Sequence, residues 1–318
     1  MKSVRRGAMR WIKAFARDED GATVPGPVND PLIVERLDRI EAKIDAVAQT
    51  SHGARAAYLG DNRVLMKAVV AGANFAFLLE ANDRLITPWF VITGTYETPL
   101  TDFLVRELRP DSRCIDAGAN FGYYSCLMAR FCPSGQVVGV EVDGAVQELA
   151  RDTVAVNGLA GHARILHRAV SESDAPLTFH RRGTRSANTS LIAYGTAFTE
   201  HMGEPAEEPF TVPGITIDEI AATMQGRVDF MKVDIEGAEP LAFRGARRTI
   251  AQNPDLVTVM EWSPGQIEAA GFDVSGFLDE LAGQGLSFHD MRDDRLTPIT
   301  AAELLNIPYL FGIVLKRV

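Results

Sequence analysis

Arg113-Cys-Ile-Asp-Ala-Gly-Ala-Asn-Phe-Gly-Tyr-Tyr-Ser125 reads as an apolar strand, a glycine turn and a helix start, the junction on which nucleotide-type ligands dock in α/β proteins. The strand closes at Asp116, and Gly118 and Gly122 then give turn positions without a Cβ atom, where another group can approach the backbone closely. The first amides of the following helix lack intrahelical partners and face that group. The spacing Asp116-x-Gly118-x-x-x-Gly122, with Asn at 120, departs from the GxGxxG dinucleotide fingerprint, whose middle glycine admits a pyrophosphate. A nucleoside carrying an amino-acid tail suits the turn better, and S-adenosylmethionine is the common ligand of that kind.

A partner for this turn lies on the next strand. Gln136-Val-Val-Gly-Val-Glu-Val-Asp143 is a short apolar run between Gly135 and Gly144, the pattern of a buried parallel strand. Glu141 stands near its carboxyl end, 23 residues after Gly118, close to the offset of about 20 at which an acid meets ribose hydroxyls. A carboxylate accepts two hydrogen bonds from a vicinal diol, which is the physical reason for an acid there. The plainer reading of these acids is a helix cap, since Asp143 precedes a helical stretch. Its pairing with the glycine turn favours ribose binding by Glu141.

The chain has 318 residues, 46% of them hydrophobic, enough for one large domain with a small appendage. Cys114, Cys126 and Cys132 form no CxxC pair and leave an odd one over, which predicts reduced thiols and a cytoplasmic setting. His52, His162, His167, His180, His201 and His289 have no partner at zinc-ligand spacing, so no structural zinc is expected. The net charge is −10, and Lys2, Arg5, Arg6, Arg10, Lys13 and Arg17 leave the rest of the chain at −16. An acidic body argues against nucleic acid as a partner, because nonspecific binding neutralises phosphates with Lys and Arg. In the basic tip, Val4, Ala8, Trp11, Ile12 and Phe15 recur at helical spacing. That pattern fits peripheral contact of 1–17 with the inner face of a membrane, and a solvated terminus is the plainer alternative. No apolar run has signal-peptide or membrane-spanning length.

Residues 18–31 carry acids, glycine and three prolines, so 1–31 reads as a basic amphipathic segment with a linker. Ile33, Leu37, Ile40, Ile44 and Val47 then form a heptad seam. This marks 32–53 as a helix that either pairs copies of the chain through 32–49 or packs on its own domain. The main domain, 54–318, alternates strands and helices. Strands are expected at 64–70, 74–79, 136–143, 164–166, 177–180, 228–233, 256–260, 286–289 and 309–315, with helices at 99–108 and 149–156. Such alternation predicts a mostly parallel sheet with helices on both faces. The last two strands, joined by a loop and a short helix, predict one antiparallel strand at the sheet edge. Residues 181–213 are polar and irregular, as expected of a functional loop or lid.

Open α/β sheets bind ligands at the carboxyl ends of their strands. Met231-Lys-Val-Asp-Ile-Glu-Gly-Ala-Glu239 sets Asp234, Glu236 and Glu239 directly after an apolar strand, and the next strand ends at Glu261 before Trp262-Ser-Pro264. Carboxylates crowded at one edge repel unless cationic, metal or hydrogen-bonding partners hold them. Taken singly, each equally suits a helix cap or a solvated charge. A magnesium ion would accept such oxygen ligands, but no ligand spacing requires one, and no metal ligand is assigned.

The stretch from Cys114 to Ser125, Lys232-Val-Asp-Ile-Glu-Gly-Ala-Glu239 and Arg244-Gly-Ala-Arg247 resemble the FkbM family of S-adenosylmethionine-dependent methyltransferases. Gly94-Thr-Tyr-Glu97, Ser186-Ala-Asn-Thr-Ser190, Ile215-Thr-Ile-Asp218 and Glu261-x-x-Pro264 follow the order that family shows, so that the resemblance covers 58–315. It implies an α/β fold with the Rossmann-like class I methyltransferase sheet, order 3-2-1-4-5-7-6 with the seventh strand antiparallel, behind an N-terminal helical extension. It implies O-methylation of a hydroxyl on a sugar, glycan precursor or related natural product. By position, Asp116, Gly118, Asn120, Phe121 and Gly122 would hold the methionine part of the cofactor and Glu141 the ribose, with Tyr96 and Glu97 closing over the methionine end. Methyl transfer needs the acceptor oxygen at about 3 to 3.5 Å from the methyl and a base within hydrogen-bond reach. Asp234 and Glu236, with Glu261 as a further acid, are the expected catalytic groups. Alternatively Asp234 holds the cofactor's amino group and His180 or His201 is the base. Two other functions stand beside this one: an NAD-dependent oxidoreductase or epimerase, against which the glycine spacing counts, and a non-catalytic adaptor that keeps only the fold.

Overall fold

A computed structural model describes residues 55–181, 189–193, 207–292 and 295–317. The basic segment and linker at 1–31, the helix expected at 32–53, and most of the 181–213 loop with His201 lie outside the described residues. Ala56–Gly60 (β1), Arg63–Val70 (β2) and Ala73–Glu80 (β3) form an antiparallel sheet of their own. The strands expected at 64–70 and 74–79 are therefore present but stand apart from the main sheet. The pairs Asp61-Asn62 and Ala71-Gly72 both take positive φ, the geometry that closes a two-residue hairpin. This sheet is stitched to the helix Gly144–Val156. The Leu78 amide donates to Thr153 Oγ1 at 3.0 Å and the Ala76 amide to Asn157 Oδ1 at 3.0 Å, satisfying backbone groups that a bare edge would leave open.

The remaining strands are Arg113–Ala117 (β4), Gln136–Glu141 (β5), Ala163–His167 (β6), Ala169–Val170 (β7), Leu177–Arg181 (β8), Glu208–Val212 (β9), Gly214–Ile215 (β10), Phe230–Val233 (β11), Val257–Trp262 (β12), Leu286–Arg292 (β13), Arg295–Ile299 (β14) and Leu310–Arg317 (β15). Eight of them make the main sheet in the order β14-β13-β15-β12-β11-β4-β5-β6. From β6 to β12 the pairing is parallel, and β15 runs antiparallel to both β12 and β13. This is the class I methyltransferase order with β14 added at the rim. The antiparallel strand β15 is inside the sheet, and β14, antiparallel to β13, stands at its edge. The helices after β12 carry β13 one place further out, and β15 fills the slot by pairing on both sides. Pro298 lies on the edge strand β14, where its missing N–H costs no ladder bond. Within 181–213, Glu208–Val212 returns against β8 as a hairpin, a strand its polar composition concealed.

Side-chain alternation along the central strands splits the core in two. Cys114 and Phe230 pack on the face covered by Leu127, Met128 and Phe77. Ile115, Met231 and Val233 pack on the other, with Phe243, Trp262 and Phe277. The two-residue period also puts Asp116 and Lys232, which are register partners, on the same face as Cys114 and Phe230. Trp262 is fully buried, and its Nε1 donates to the carbonyls of Leu304 at 3.1 Å and Ile307 at 3.2 Å, which anchors the end of β12. Cys114, Cys126 and Cys132 are buried and unpaired. No helix among the described residues is long and apolar enough to cross a membrane.

Candidate active site

The carboxyl ends of β4, β5, β11 and β12 meet around a cavity of about 310 Å³. Gly118, Asn120, Phe121, Glu141, Asp234, Glu236 and Glu261 line it, as do Tyr96 and Glu97 from the segment ahead of the helix Thr98–Glu107. Asp116 and Gly122, named from sequence beside them, do not. Gly118 has φ +83°, and a Cβ there would stand 1.8 Å from the Asp234 carbonyl oxygen. The glycine is thus demanded by the chain's own exit from β11 rather than by a ligand. Gly122 likewise meets the helix Gly144–Val156, with a Cβ 3.1 Å from the Ala150 carbonyl oxygen. Three non-glycine residues of the lining, Glu97, Asn120 and Glu236, hold φ of 41°, 46° and 56°. Such left-handed positions persist where the surrounding structure enforces them.

Glu141 is 8% exposed, and its two carboxylate oxygens accept the amides of Asn120 at 2.8 Å and Asp143 at 2.9 Å. Burial raises its pKa to about 7 against those hydrogen bonds. Asp143 is the helix cap, accepting the Ala145 amide at 2.9 Å, and is also paired with the Arg181 guanidinium. Asp143 therefore takes the cap role that sequence left open. Asp116 is fully buried; its Oδ2 accepts the Ser125 hydroxyl at 2.6 Å. Burial raises its pKa to about 6, while Lys232 beside it pulls the other way.

Lys232 is the hub of the acidic side. Its Nζ donates to Asp234 Oδ2 at 2.6 Å and sits 4.9 Å from the centre of the Tyr124 ring. Burial alone would lower the ammonium pKa, but Asp234, Glu97 and Asp116 together raise it. Tyr124 in turn donates its hydroxyl to Glu97 Oε2 at 2.6 Å. Lys232→Met is expected to destabilise the fold by about 3 kcal/mol, since losing one partner of a buried pair leaves the other charges uncompensated. Urea denaturation at neutral pH measures this, and a change within about 0.5 kcal/mol would show that the acids do not depend on the ammonium.

Asp234, Glu236 and Glu261 each bring a carboxylate oxygen within 4.8 Å of the others. Each has a protein partner: Lys232 for Asp234, the Gln266 amide for Glu236, and the Tyr309 hydroxyl, at 2.9 Å, for Glu261. Burial, then Asp234, Glu236 and Glu239, push the Glu261 pKa up to about 10, so the carboxyl carries a proton at neutral pH. That proton and these partners relieve the repulsion anticipated from sequence. Glu261 Oε2 and Gln266 Oε1 are buried without a hydrogen-bond partner among the described residues. Glu239 is 2% exposed and accepts the amide of the lining residue Ile235 at 3.1 Å without itself lining the cavity.

Lys232, Tyr123, Tyr124, Thr189, Gln266 and Tyr309 line the cavity without a role assigned to them from sequence. Lys232 stood in the quoted acidic block but read as a strand residue, whereas Tyr309 and Gln266 reach their partners only through tertiary packing. His180 lies in β8, bridged to Ser190, and is not part of the lining.

The sheet order and the glycine turn beside strand-end acids define an α/β enzyme of the Rossmann-like class I methyltransferase type. Residues 116–293, more than half of the chain, match the family model described as Methyltransferase FkbM domain, and the chain belongs to that family. It is an S-adenosylmethionine-dependent methyltransferase, which sets aside the oxidoreductase and adaptor readings. "Methyltransferase sdnD" of Sordaria araneosa is 25% identical over 190 residues, covering 51% of this chain and 73% of its own. A TehB-like SAM-dependent methyltransferase from Corynebacterium glutamicum superposes with a TM-score of 0.41 at 13% identity, covering 73% of this chain and 96% of its own. The O-methyltransferase TomG from Streptomyces achromogenes, solved in complex with SAM, gives a TM-score of 0.39 at 16% identity, covering 74% and 86%.

Proposed function

We propose that this enzyme is an O-methyltransferase acting on a hydroxyl of a sugar, glycan precursor or related natural product, with Asp234, Glu236 and Glu261 around the reacting centre. The observation that carries the reading is the acidic corner, where Glu261 Oε2 and Gln266 Oε1, amid clustered carboxylates, lack partners among the described residues. Such a corner calls for hydrogen-bond donors, and a hydroxyl acceptor supplies them. S-adenosylmethionine, when bound, supplies an electrophilic methyl group carried on a sulfonium. The residues fit it: Glu141 keeps lone pairs for ribose hydroxyls, and the acids around Lys232 balance an ammonium and a sulfonium. Asn120 and Phe121 hold the turn against the methionine part, and Tyr96 and Glu97 close that end. Lys232 keeps Asp234 in one orientation. The cationic charge of a bound cofactor would lower the Glu261 pKa, and the carboxylate so freed, buried and crowded, would be a stronger base for the acceptor proton than an exposed one.

The test follows S-adenosylhomocysteine release over a panel of polyol and glycan acceptors. Asp234→Asn and Glu236→Gln are each expected to lower the rate about a hundredfold, within the range for positioned acid and base groups, while the folded fraction is unchanged by circular dichroism. Wild-type rates in both variants would remove these carboxylates from the reaction.

A further inference from the structure

The block Ser186-Ala-Asn-Thr-Ser190 was singled out from sequence without a role. Its described end is pinned to β8, where the His180 amide donates to the Ser190 carbonyl at 2.9 Å. That anchor holds Thr189 in the cavity wall, 8% exposed, with an Oγ1 that has no hydrogen-bond partner among the described residues. A buried hydroxyl left unpaired forfeits its hydration without return, whereas valine would fill the same space at no such cost. The hydroxyl is therefore open to a ligand of the cavity it lines.

Position in the fold says which end of the cavity it serves. Phe179, the neighbour of the anchoring His180, packs in a cluster with Ala169, Val212 and Val142, and Val142 follows Glu141 directly. Thr189 thus belongs to the β5 and β6 side of the cavity. The acidic corner, built at the ends of β11 and β12, lies across β4 from it. Val142, Val170 and Phe179 make much of the lining here apolar, with Arg168 beside them, as a slot for a flat heteroaromatic ring would be, with few polar groups to orient what it holds. We propose that Thr189 is a specificity-determining residue whose hydroxyl reads the polar edge of the cofactor's nucleobase. The inference rests on the proposed placement of the ribose at Glu141.

Thr189→Val, nearly isosteric, tests it by calorimetric titration with S-adenosylhomocysteine and with its purine-riboside analogue, in which hydrogen replaces the 6-amino group of the base. The wild type is expected to prefer the adenine ligand, and the variant to lose about tenfold of that preference, or 1.4 kcal/mol. Thr189→Ser, which keeps the hydroxyl, restores it. Thermal unfolding of the unliganded Thr189→Val protein is expected at or above the wild-type temperature, because an unpaired hydroxyl has gone. Equal weakening of both ligands, or no change in either, would overturn the role in base recognition. Failure of the wild type to bind S-adenosylhomocysteine at all would instead strike the cofactor placement beneath it.

Discussion

Gly118→Ala is expected to destabilise the protein by more than about 3 kcal/mol and to abolish measurable binding of S-adenosylhomocysteine. Two costs combine. At φ +83° a residue with a Cβ pays about 1 to 2 kcal/mol for the left-handed conformation. The added carbon would also lie 1.8 Å from the Asp234 carbonyl oxygen, closer than any real contact, so the backbone on one side has to move. Neither side is free. The Gly118 and Ala119 amides donate to the Val140 carbonyl at 3.0 and 2.9 Å, and the Asp234 amide donates to the Ala117 carbonyl at 3.0 Å. Relief breaks one of these sets, at about 1 kcal/mol for each hydrogen bond, and displaces either the turn that carries Asn120 or the segment that carries Asp234. Gly122→Ala, whose Cβ would meet the Ala150 backbone only at 3.1 Å, is expected to be milder. Urea denaturation and calorimetric titration of both variants give the ordering. A Gly118→Ala protein within about 1 kcal/mol of wild type would mean that the turn is not trapped as described.

That glycine also shows where sequence reasoning stops. The turn, the helix start and the Glu141 strand were legible because each is local: apolar runs, glycines and a fixed offset carry them. The identity of Gly118 was legible too, but its reason was not, since Asp234 lies more than a hundred residues further on and only the parallel pairing of β4 with β11 brings its carbonyl there. Pairing is the missing information throughout. Nothing local says that the strands of β2 and β3 form a separate sheet, or that β15 enters between β12 and β13. The same holds at the site. Asp234, Glu236 and Glu261 could be named from their places after strands, but the Tyr309 hydroxyl on Glu261 joins residues 48 apart and the Gln266 amide on Glu236 joins residues 30 apart. Lys232 was visible in sequence, and its role as counter-charge to three acids emerged only once the register placed Asp116 beside it.

Glu261→Gln is expected to make the unliganded protein more stable at pH 8 to 9 while lowering methyl transfer about a hundredfold. The sign follows from the direction of the pKa shift. Burial, with Asp234, Glu236 and Glu239 adding to it, raises the folded-state pKa of Glu261 to about 10, against about 4.3 in the unfolded chain. Between those values the folded state binds the extra proton, so stability is fully present below about pH 4 and falls as pH rises towards 10. Glu141 and Glu239, raised to about 7, and Asp116, raised to about 6, add slope in the same direction below pH 7. Above it Glu261 is the main contributor among these four. Glutamine copies the protonated carboxyl in shape but cannot ionise, so the variant's melting temperature should decline less steeply from pH 7 to 9. Each pKa unit corresponds to about 1.4 kcal/mol, and a gain of more than about 1 kcal/mol at pH 9 is the expected minimum. The same substitution removes a base, and the opposite movement of stability and activity is what a site holding a destabilised carboxylate for chemistry produces. Thermal unfolding at pH 5, 7 and 9, with acceptor methylation measured beside it, separates the two effects. A variant that keeps the wild-type slope would place the titrating group elsewhere, and one that keeps the wild-type rate would show that the proton leaves by another route.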